Sequence, residues 1–391
     1  MSFFSDFEDE LIEINKINRN AQTTIPEANS PSLETLQKST NITVKFKNKL
    51  FERINRPNKN NWVDIENDYY NALLEILDRR AIQNRYYSVD KLNRDFEKIT
   101  SKIEEYLITI ENGESYDSTK VFNNAKETIQ PIFHPGYYLR DLSNKAIQQK
   151  VTSEIEKIEI LQLKPVEYEL DEAERSKLDF VKKNTPISRV EVEAAMYGGP
   201  NTGPFNLSIQ KQHVLTFNYT NTCKYYTDSK KGLDFYTIGS ISHIHGNLEE
   251  PSKIIFGFGD EMDSRYIDLE NDGDDGYLKK VKSISYLKND IYRHELLRFV
   301  NEGNFQIYIL GHSCGNSDRT LLNTLFEHEN CCSIKVFYHQ YEKDGIIQDD
   351  FTQKSINLTR CFKDKAKLRE IVVNKEFCRP LVPVEMDNTE S

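Results

Sequence analysis

No run of this chain approaches the about 18 uninterrupted apolar residues that a membrane-spanning helix needs, so no such helix is read from it. None of its cysteines, Cys223, Cys314, Cys331, Cys332, Cys361 and Cys378, stands in a CxxC pair, and the opening FFSDFEDELIEI is too acidic for a secretory leader. Reduced thiols, a cytoplasmic location and no membrane partner are the expectation. A basic excess is missing as well. With 51 Lys and Arg against 62 Asp and Glu, the net charge of −11 argues against general nucleic-acid binding, because phosphate contact needs a basic face. The 21 tyrosines and 21 phenylalanines have no basic residues interleaved and read as packing residues rather than base-stacking platforms. Residues 1–40 contain no glycine, and no internal repeat is found.

What is there is a polar, globular chain of 391 residues, 38% hydrophobic and 29% charged, long enough for two domains. Its order, helices first and strands later, predicts a mainly helical region over 1–195, an α/β core over 196–345, and a C-terminal helix, strand and tail over 346–391. Apolar spacing predicts helices over 1–20, from Val44 to Ile54, from Trp62 to Leu77, from Ser118 to Ile132 and from Tyr138 to Lys157. Polar residues between Ala21 and Thr40 predict a surface loop. The clearest helix runs from Val89 to Ile110 behind a Ser88 cap. Val89, Leu92, Phe96, Ile99, Ile103, Tyr106 and Ile110 form a heptad seam, preferred as packing within the domain over pairing with a second protomer.

Short apolar runs closed by turn residues predict buried strands at His213–Phe217, Tyr236–Ile244, Ile254–Phe258, Phe305–Leu310 and Ile334–His339. In open α/β sheets ligands collect beyond the carboxyl ends of such strands, which directs attention to Asn218, His245-Gly246, Gly259-Asp260 and the loop Gly311–Ser317. Asp318 opens the next helix, whose stripe is Leu321, Leu322, Leu325 and Phe326, and a strand, a small-residue loop and a helix start present N–H groups to an anion. MYGGPNTGPFN, at 196–206, reads as a connector or active-site loop. The acidic stretch 260–275 holds eight carboxylates, but DLENDGDDGYLK has Lys279 where a calcium loop needs its bidentate Glu, so a solvated loop is expected. His312 and Cys314, two apart in one turn, are poorly spaced for a nucleophile pair. His134, in IFHPGYY, reads as a turn residue.

TFNYTNT (216–222), HIHG (243–246), FGFGDE (256–261) and GHSCGNSDRTLL (311–322), with NNWVDIENDYY (60–70) before them, resemble the bacteriophage abortive-infection AbiH family, whose core is similar to sirtuin-like NAD-consuming domains. The resemblance implies antiviral defence, a phage-derived trigger, and an α/β Rossmann-like (sirtuin-like) parallel sheet beside a large helical N-terminal region. It implies NAD as substrate, with Asn218 holding water and ribose hydroxyls and His245 as base, and with His243 structural. Thr216, Phe217 and Gly246 would line the nucleotide, and Gly311, Ser313 and Asp318 resemble the family's second nucleotide-contact loop. Sirtuins usually carry an Asp two residues after this Asn, where Thr220 stands. The family also usually opens with a strand and a Gly-Asn-Gly-Phe-Asp turn, while MSFFSDFEDEL looks like the stretch after it; the expectation is a missing first strand and phosphate loop, by late start or truncation.

Other readings stay open. His243 and His245 share a strand face, as in the His-x-His pair of a metal-dependent phosphohydrolase or nuclease completed by Asp260, Asp318 or His312, and they also fit as satisfied core histidines. Asn218 also reads as a turn or cap residue, and Asp318 as a purely structural N-cap. A non-catalytic sensor using the same pocket is the remaining alternative, and self-association through the helical region belongs to either class.

Overall fold

The computed structural model describes residues 11–16, 42–55, 65–80, 88–112, 129, 132, 139–163, 170–184, 188–197, 205, 211–224, 238–288 and 290–384. The loop expected at 21–40, most of the helix expected at 118–132, His134, and most of the Gly/Pro loop at 196–206 lie outside them. The chain divides into two compact units, one of Met1–Tyr116 with His245–Asn289, the other of Asp117–Ile244 with Asp290–Ser391. It is a mixed α/β protein with many helices and small parallel sheets.

In the first unit, β1 (Ile12–Lys16) pairs antiparallel with β2 (Ile42–Phe46). The described part of the helix expected over 1–20 is therefore a strand, and β2 takes the first residues of the helix expected from Val44. IEINK and ITVKF both set β-branched residues at every second position, a pattern that serves a paired strand better than a helical turn. Helix begins only at α1 (Lys49–Ile54), where the Asn48 side chain accepts the N–H of Phe51 at 2.9 Å. α2 (Ile65–Arg80) and α3 (Val89–Asn112) follow the spacing read from the sequence, and Ser88 Oγ accepts the Lys91 N–H at 3.2 Å. Leu92, Phe96 and Ile99 of the α3 seam are buried in the unit's own core, with Tyr69 and Phe96 rings 4.4 Å apart.

The expected strand Ile254–Phe258 does not form. One bridge remains, Phe258 to Val281, made by Phe258 N–H to the Lys280 carbonyl at 3.0 Å and Lys282 N–H to the Phe258 carbonyl at 2.9 Å. At Gly257 a Cβ would lie 2.0 Å from the Lys280 carbonyl oxygen, so the backbones meet there only because the residue is glycine. The adjoining Lys282 is 1% exposed, its ammonium 2.7 Å from Glu66 Oε2, while Glu66 Oε1 accepts the Gly257 N–H at 3.0 Å. One carboxylate thus neutralises a buried cation and holds the glycine turn. The acidic stretch after it contains a short helix, Tyr266–Asn271, with Tyr266 and Leu269 turned into the core.

In the second unit, α4 (Asn144–Gln162), α5 (Glu172–Lys183) and α6 (Arg189–Met196) enclose a core of Ile147, Val151, Ile158, Val181, Val192 and Met196. β3 (Gln212–Thr216) pairs in parallel with β4 (Ile238–His243). β5 (Phe305–Leu310) leads through α7 (Arg319–Phe326) to β6 (Cys331–Tyr338), its parallel neighbour. The hairpin β7 (Gln340–Lys343) and β8 (Ile346–Asp349), α8 (Phe351–Cys361) and α9 (Lys365–Ile371) follow, before β9 (Arg379–Pro380) joins the far side of β6, again in parallel. Ser143 ties α4 to this sheet: its N–H donates to Ser333 Oγ at 2.8 Å and its hydroxyl to the Cys332 carbonyl at 2.7 Å. Among the described residues the parallel strands make two sheets, β3–β4 and β5–β6–β9.

The Glu66–Lys282 pair generates a test. Glu66→Ala removes the carboxylate paired with a buried ammonium and should cost about 3–5 kcal/mol in urea denaturation, whereas Glu66→Leu combined with Lys282→Met should restore most of that stability. A double variant as unstable as the single one would show that the glycine turn, not the charge, is what Glu66 supports.

Candidate functional site

A cavity of about 690 Å³ lies in the second unit between β3 and β5 and is continued by the residues that follow each strand. It brings together Thr216, Phe217, Asn218, Gly311 and Ser313 of the predicted site, and adds His312. Parallel strands explain this, since the loops after both strands emerge at the same end. The Phe217 and His312 rings meet across that end with centroids 4.1 Å apart.

Asn218 is held by its backbone. Its N–H donates to Thr216 Oγ1 at 3.2 Å, and its carbonyl accepts from His243 Nδ1 at 3.0 Å. The Asn218 side-chain amide makes no hydrogen bond among the described residues and borders the cavity. Because His243 Nδ1 faces a carbonyl it carries the proton, so the neutral ring presents Nε2 as an acceptor.

The loop after β5 is turned by Gly311 at φ +72° and by Cys314, a non-glycine residue at φ +54°. Its carbonyls are secured from α8. Lys354 Nζ donates to the His312 carbonyl at 2.9 Å, Asn357 Nδ2 to that of Ser313 at 2.8 Å, and the Cys361 thiol to that of Cys314 at 3.7 Å. Within the loop the Cys314 N–H donates to His312 Nδ1 at 2.9 Å, so the His312 proton sits on Nε2, which faces Asp318 Oδ2 at 3.5 Å. Asp318 makes no side-chain cap on α7. His312 thus orders the loop with both ring nitrogens. Lys354, 6% exposed beneath the loop, is a charged residue that sequence reading missed; it stands some forty residues downstream, and no local pattern marks it.

A family model described as bacteriophage abortive infection AbiH matches residues 4–340. The chain belongs to the AbiH family. No curated protein and no solved structure matches it.

Two further predicted residues of this AbiH family member, His245 and Gly246, fall in the first unit. His245 is buried, its Nε2 3.2 Å from the Tyr286 hydroxyl and its carbonyl accepting the Ile255 N–H at 2.8 Å. Gly246 has φ +81°, and a Cβ there would lie 2.5 Å from the Lys253 carbonyl oxygen, so HIHG ends in glycine for a steric reason. The rings of His243 and His245, expected on one face, take different partners, because β4 ends at His243 and the chain turns at once. Among the described residues no group of three His, Cys, Asp or Glu side chains is placed to hold a metal ion.

Burial lowers the affinity of His213 for a proton; Glu295 opposes this and Lys211 adds to it. A histidine kept neutral in the folded state contributes stability that is complete above its unfolded pKa of about 6.5 and is lost as the pH falls through the lower folded value. Between about pH 7.5 and 5.5 the His213→Gln variant should therefore lose less Tm than the parent protein; parallel curves would remove His213 from the acid response.

Burial also pushes the Cys314 thiol up to about 12, against Lys354, which lowers it. At pH 8 only about one thiol in ten thousand is then ionised. Cys314 should escape iodoacetamide in the folded protein and react after unfolding, read by mass spectrometry, and Cys314→Ala should keep whatever activity the protein has. Rapid labelling of the native protein at Cys314 contradicts this.

Proposed function

We propose that this AbiH family member serves in defence against bacteriophage by binding NAD in the second unit, in a sirtuin-like, Rossmann-like site, and hydrolysing it. The observation that carries the reading is Asn218, pinned through both backbone polar groups at a strand end while its side-chain amide stays available at the cavity. The cavity's size lies within the usual range for small-molecule sites, and Gly311 and Ser313, in a loop held by Lys354, favour an anion there. Thr216, Phe217 and Asp318 complete the proposed nucleotide contacts of that unit; Gly246, the fourth residue the resemblance offered, falls in the first unit.

In the reaction the bond between the ribose anomeric carbon and the pyridinium nitrogen breaks, its electron pair neutralising the leaving nicotinamide. The oxocarbenium-like ribosyl group takes a water oxygen, and the water's proton passes to a base. Such a step needs little nucleophilic push; it needs a positioned water, exclusion of bulk solvent and a base working near neutral pH. An Asn amide can both donate to and accept from that water and the ribose hydroxyls. The resemblance gives His245 as the base, and His245 falls in the first unit; within the second unit the bond to Asn218 gives His243 a claim of its own.

Purified protein incubated with NAD should release nicotinamide, and Asn218→Ala should reduce the rate about 100-fold. His243→Gln and His245→Gln made separately identify the base. Protection against phage challenge should fall with the Asn218 and His245 variants. Undiminished protection by both would leave a non-catalytic sensor, and activity abolished by a chelator would leave the metal-dependent phosphohydrolase or nuclease.

A further inference from the structure

Half of the ten residues from Arg360 to Arg369 are cationic, namely Arg360, Lys363, Lys365, Lys367 and Arg369, against 51 of 391 in the whole chain. They occupy the corner where α8 ends and α9 begins, and all but the half-buried Lys367 are exposed. Lysines elsewhere stand beside carboxylates, as Lys102 does with Glu105, Lys182 with Asp179 and Lys253 with Glu250. At this corner they do not.

Arg360 Nη1 donates to the Asn357 side-chain carbonyl at 3.0 Å, Lys365 Nζ to the carbonyls of Thr359 and Phe362, and Lys367 Nζ to that of His328 at 2.6 Å. Lys363 and Arg369 make no ion pair among the described residues. The neighbouring carboxylates serve other groups. Asp364 accepts the N–H groups of Ala366 and Lys367 at 2.8 and 3.2 Å, and Glu327 accepts the Asp364 N–H at 2.6 Å. Glu370 holds Lys145 at 2.8 Å. The five cations are thus bonded to neutral groups or to none, because backbone N–H groups and a distant lysine have taken the anions. A carbonyl accepts a hydrogen bond without cancelling the charge of its donor, so the corner keeps a positive field.

We propose that this corner binds the phosphate backbone of double-stranded nucleic acid, without reading its sequence. The net charge of −11 repels phosphate at long range. Salt confines such repulsion to about 8–10 Å, and inside that distance the local cations decide. The kind of partner follows from what flanks them. Phe362 and Ile371 are buried, and no exposed aromatic or large apolar side chain lies between Arg360 and Ile371. The corner therefore offers no platform for the bases of a single strand and no anchor for a bilayer. An acidic peptide would have to be ordered as it bound, whereas a duplex presents its phosphates already fixed, about one charge per 1.7 Å of axis. The proposal does not rest on the nucleotide reading.

The test is fluorescence anisotropy of a labelled DNA duplex of about 20 base pairs, without NAD, so its failure is distinct from failure to hydrolyse NAD. The chain of residues 1–391 should bind duplexes of unrelated sequence alike. Its log affinity should fall against log salt with a slope of about −4, as five cations on phosphates require. Arg360→Gln, Lys363→Gln and Arg369→Gln together spare Lys365 and Lys367, which tie down carbonyls; this triple variant should bind about tenfold more weakly or worse, with the slope reduced by about 3. Lys102→Gln, Lys182→Gln and Lys253→Gln together remove the same net charge from paired lysines and should change neither quantity. Thermal melting checks that both are folded; should the first melt early, its three single variants replace it, each reducing the slope by about 1. No binding by the parent chain, or equal weakening by the two triple variants, overturns the proposal. Tighter binding to phosphatidylserine vesicles or to polyglutamate than to the duplex, lost in the first triple variant, overturns it in favour of a membrane or an acidic protein.

Discussion

A peptide group taken out of water must find a partner, and the second unit is arranged by how its strand edges and loops meet that demand. The start of α4 solves it with Ser143, which caps the helix and in the same stroke bonds β6. The loop after β5 solves it with α8, whose Lys354, Asn357 and Cys361 take the carbonyls of three successive residues. Both solutions are rigid because the donors stand on helices. The loop can therefore hold Cys314 in a left-handed conformation that an isolated turn would avoid.

In the first unit the organising demand is electrostatic. Lys282 is almost wholly buried, and an uncompensated ammonium there would be far more costly than any single packing contact. Glu66 arrives from α2, more than two hundred residues earlier in the chain, and also accepts the Gly257 N–H. The FGFGDE motif is conspicuous in the sequence for its glycines, and its meaning is steric: Gly257 lets the backbone pass within contact of Lys280.

The two units together show which patterns carry their own meaning. β3, β5 and β6 fall within a few residues of the apolar runs that predict them, and α2, α3 and α7 within a turn of their stripes. The hairpin turn Lys343-Asp344-Gly345-Ile346 carries its own signal in Asp-Gly, with both central residues at positive φ. Longer windows of three- and four-residue spacing, over 1–20 and from Val44 to Ile54, overlap the period-two patterns of IEINK and ITVKF and predict helix where strands form. Ile254–Phe258 is apolar enough for a strand, but a single bridge forms where a glycine lets the backbones approach.

By itself the sequence determined the helix faces, the parallel-strand runs with small-residue loops behind them, and, through motifs in fixed order, membership of the AbiH family. These are properties of neighbours along the chain, written in periodicity and turn chemistry. Only the tertiary structure decided that His312 faces Asp318 and spends both ring nitrogens on its own loop, that the charge beneath that loop is Lys354, and that Asn218 binds through its backbone to Thr216 and His243, its amide making no hydrogen bond among the described residues. Hydrogen bonds and burial between segments far apart in the chain leave no periodic trace in either segment. Which polar group is satisfied, and which is left to meet a ligand, is settled by where the folded backbone carries it.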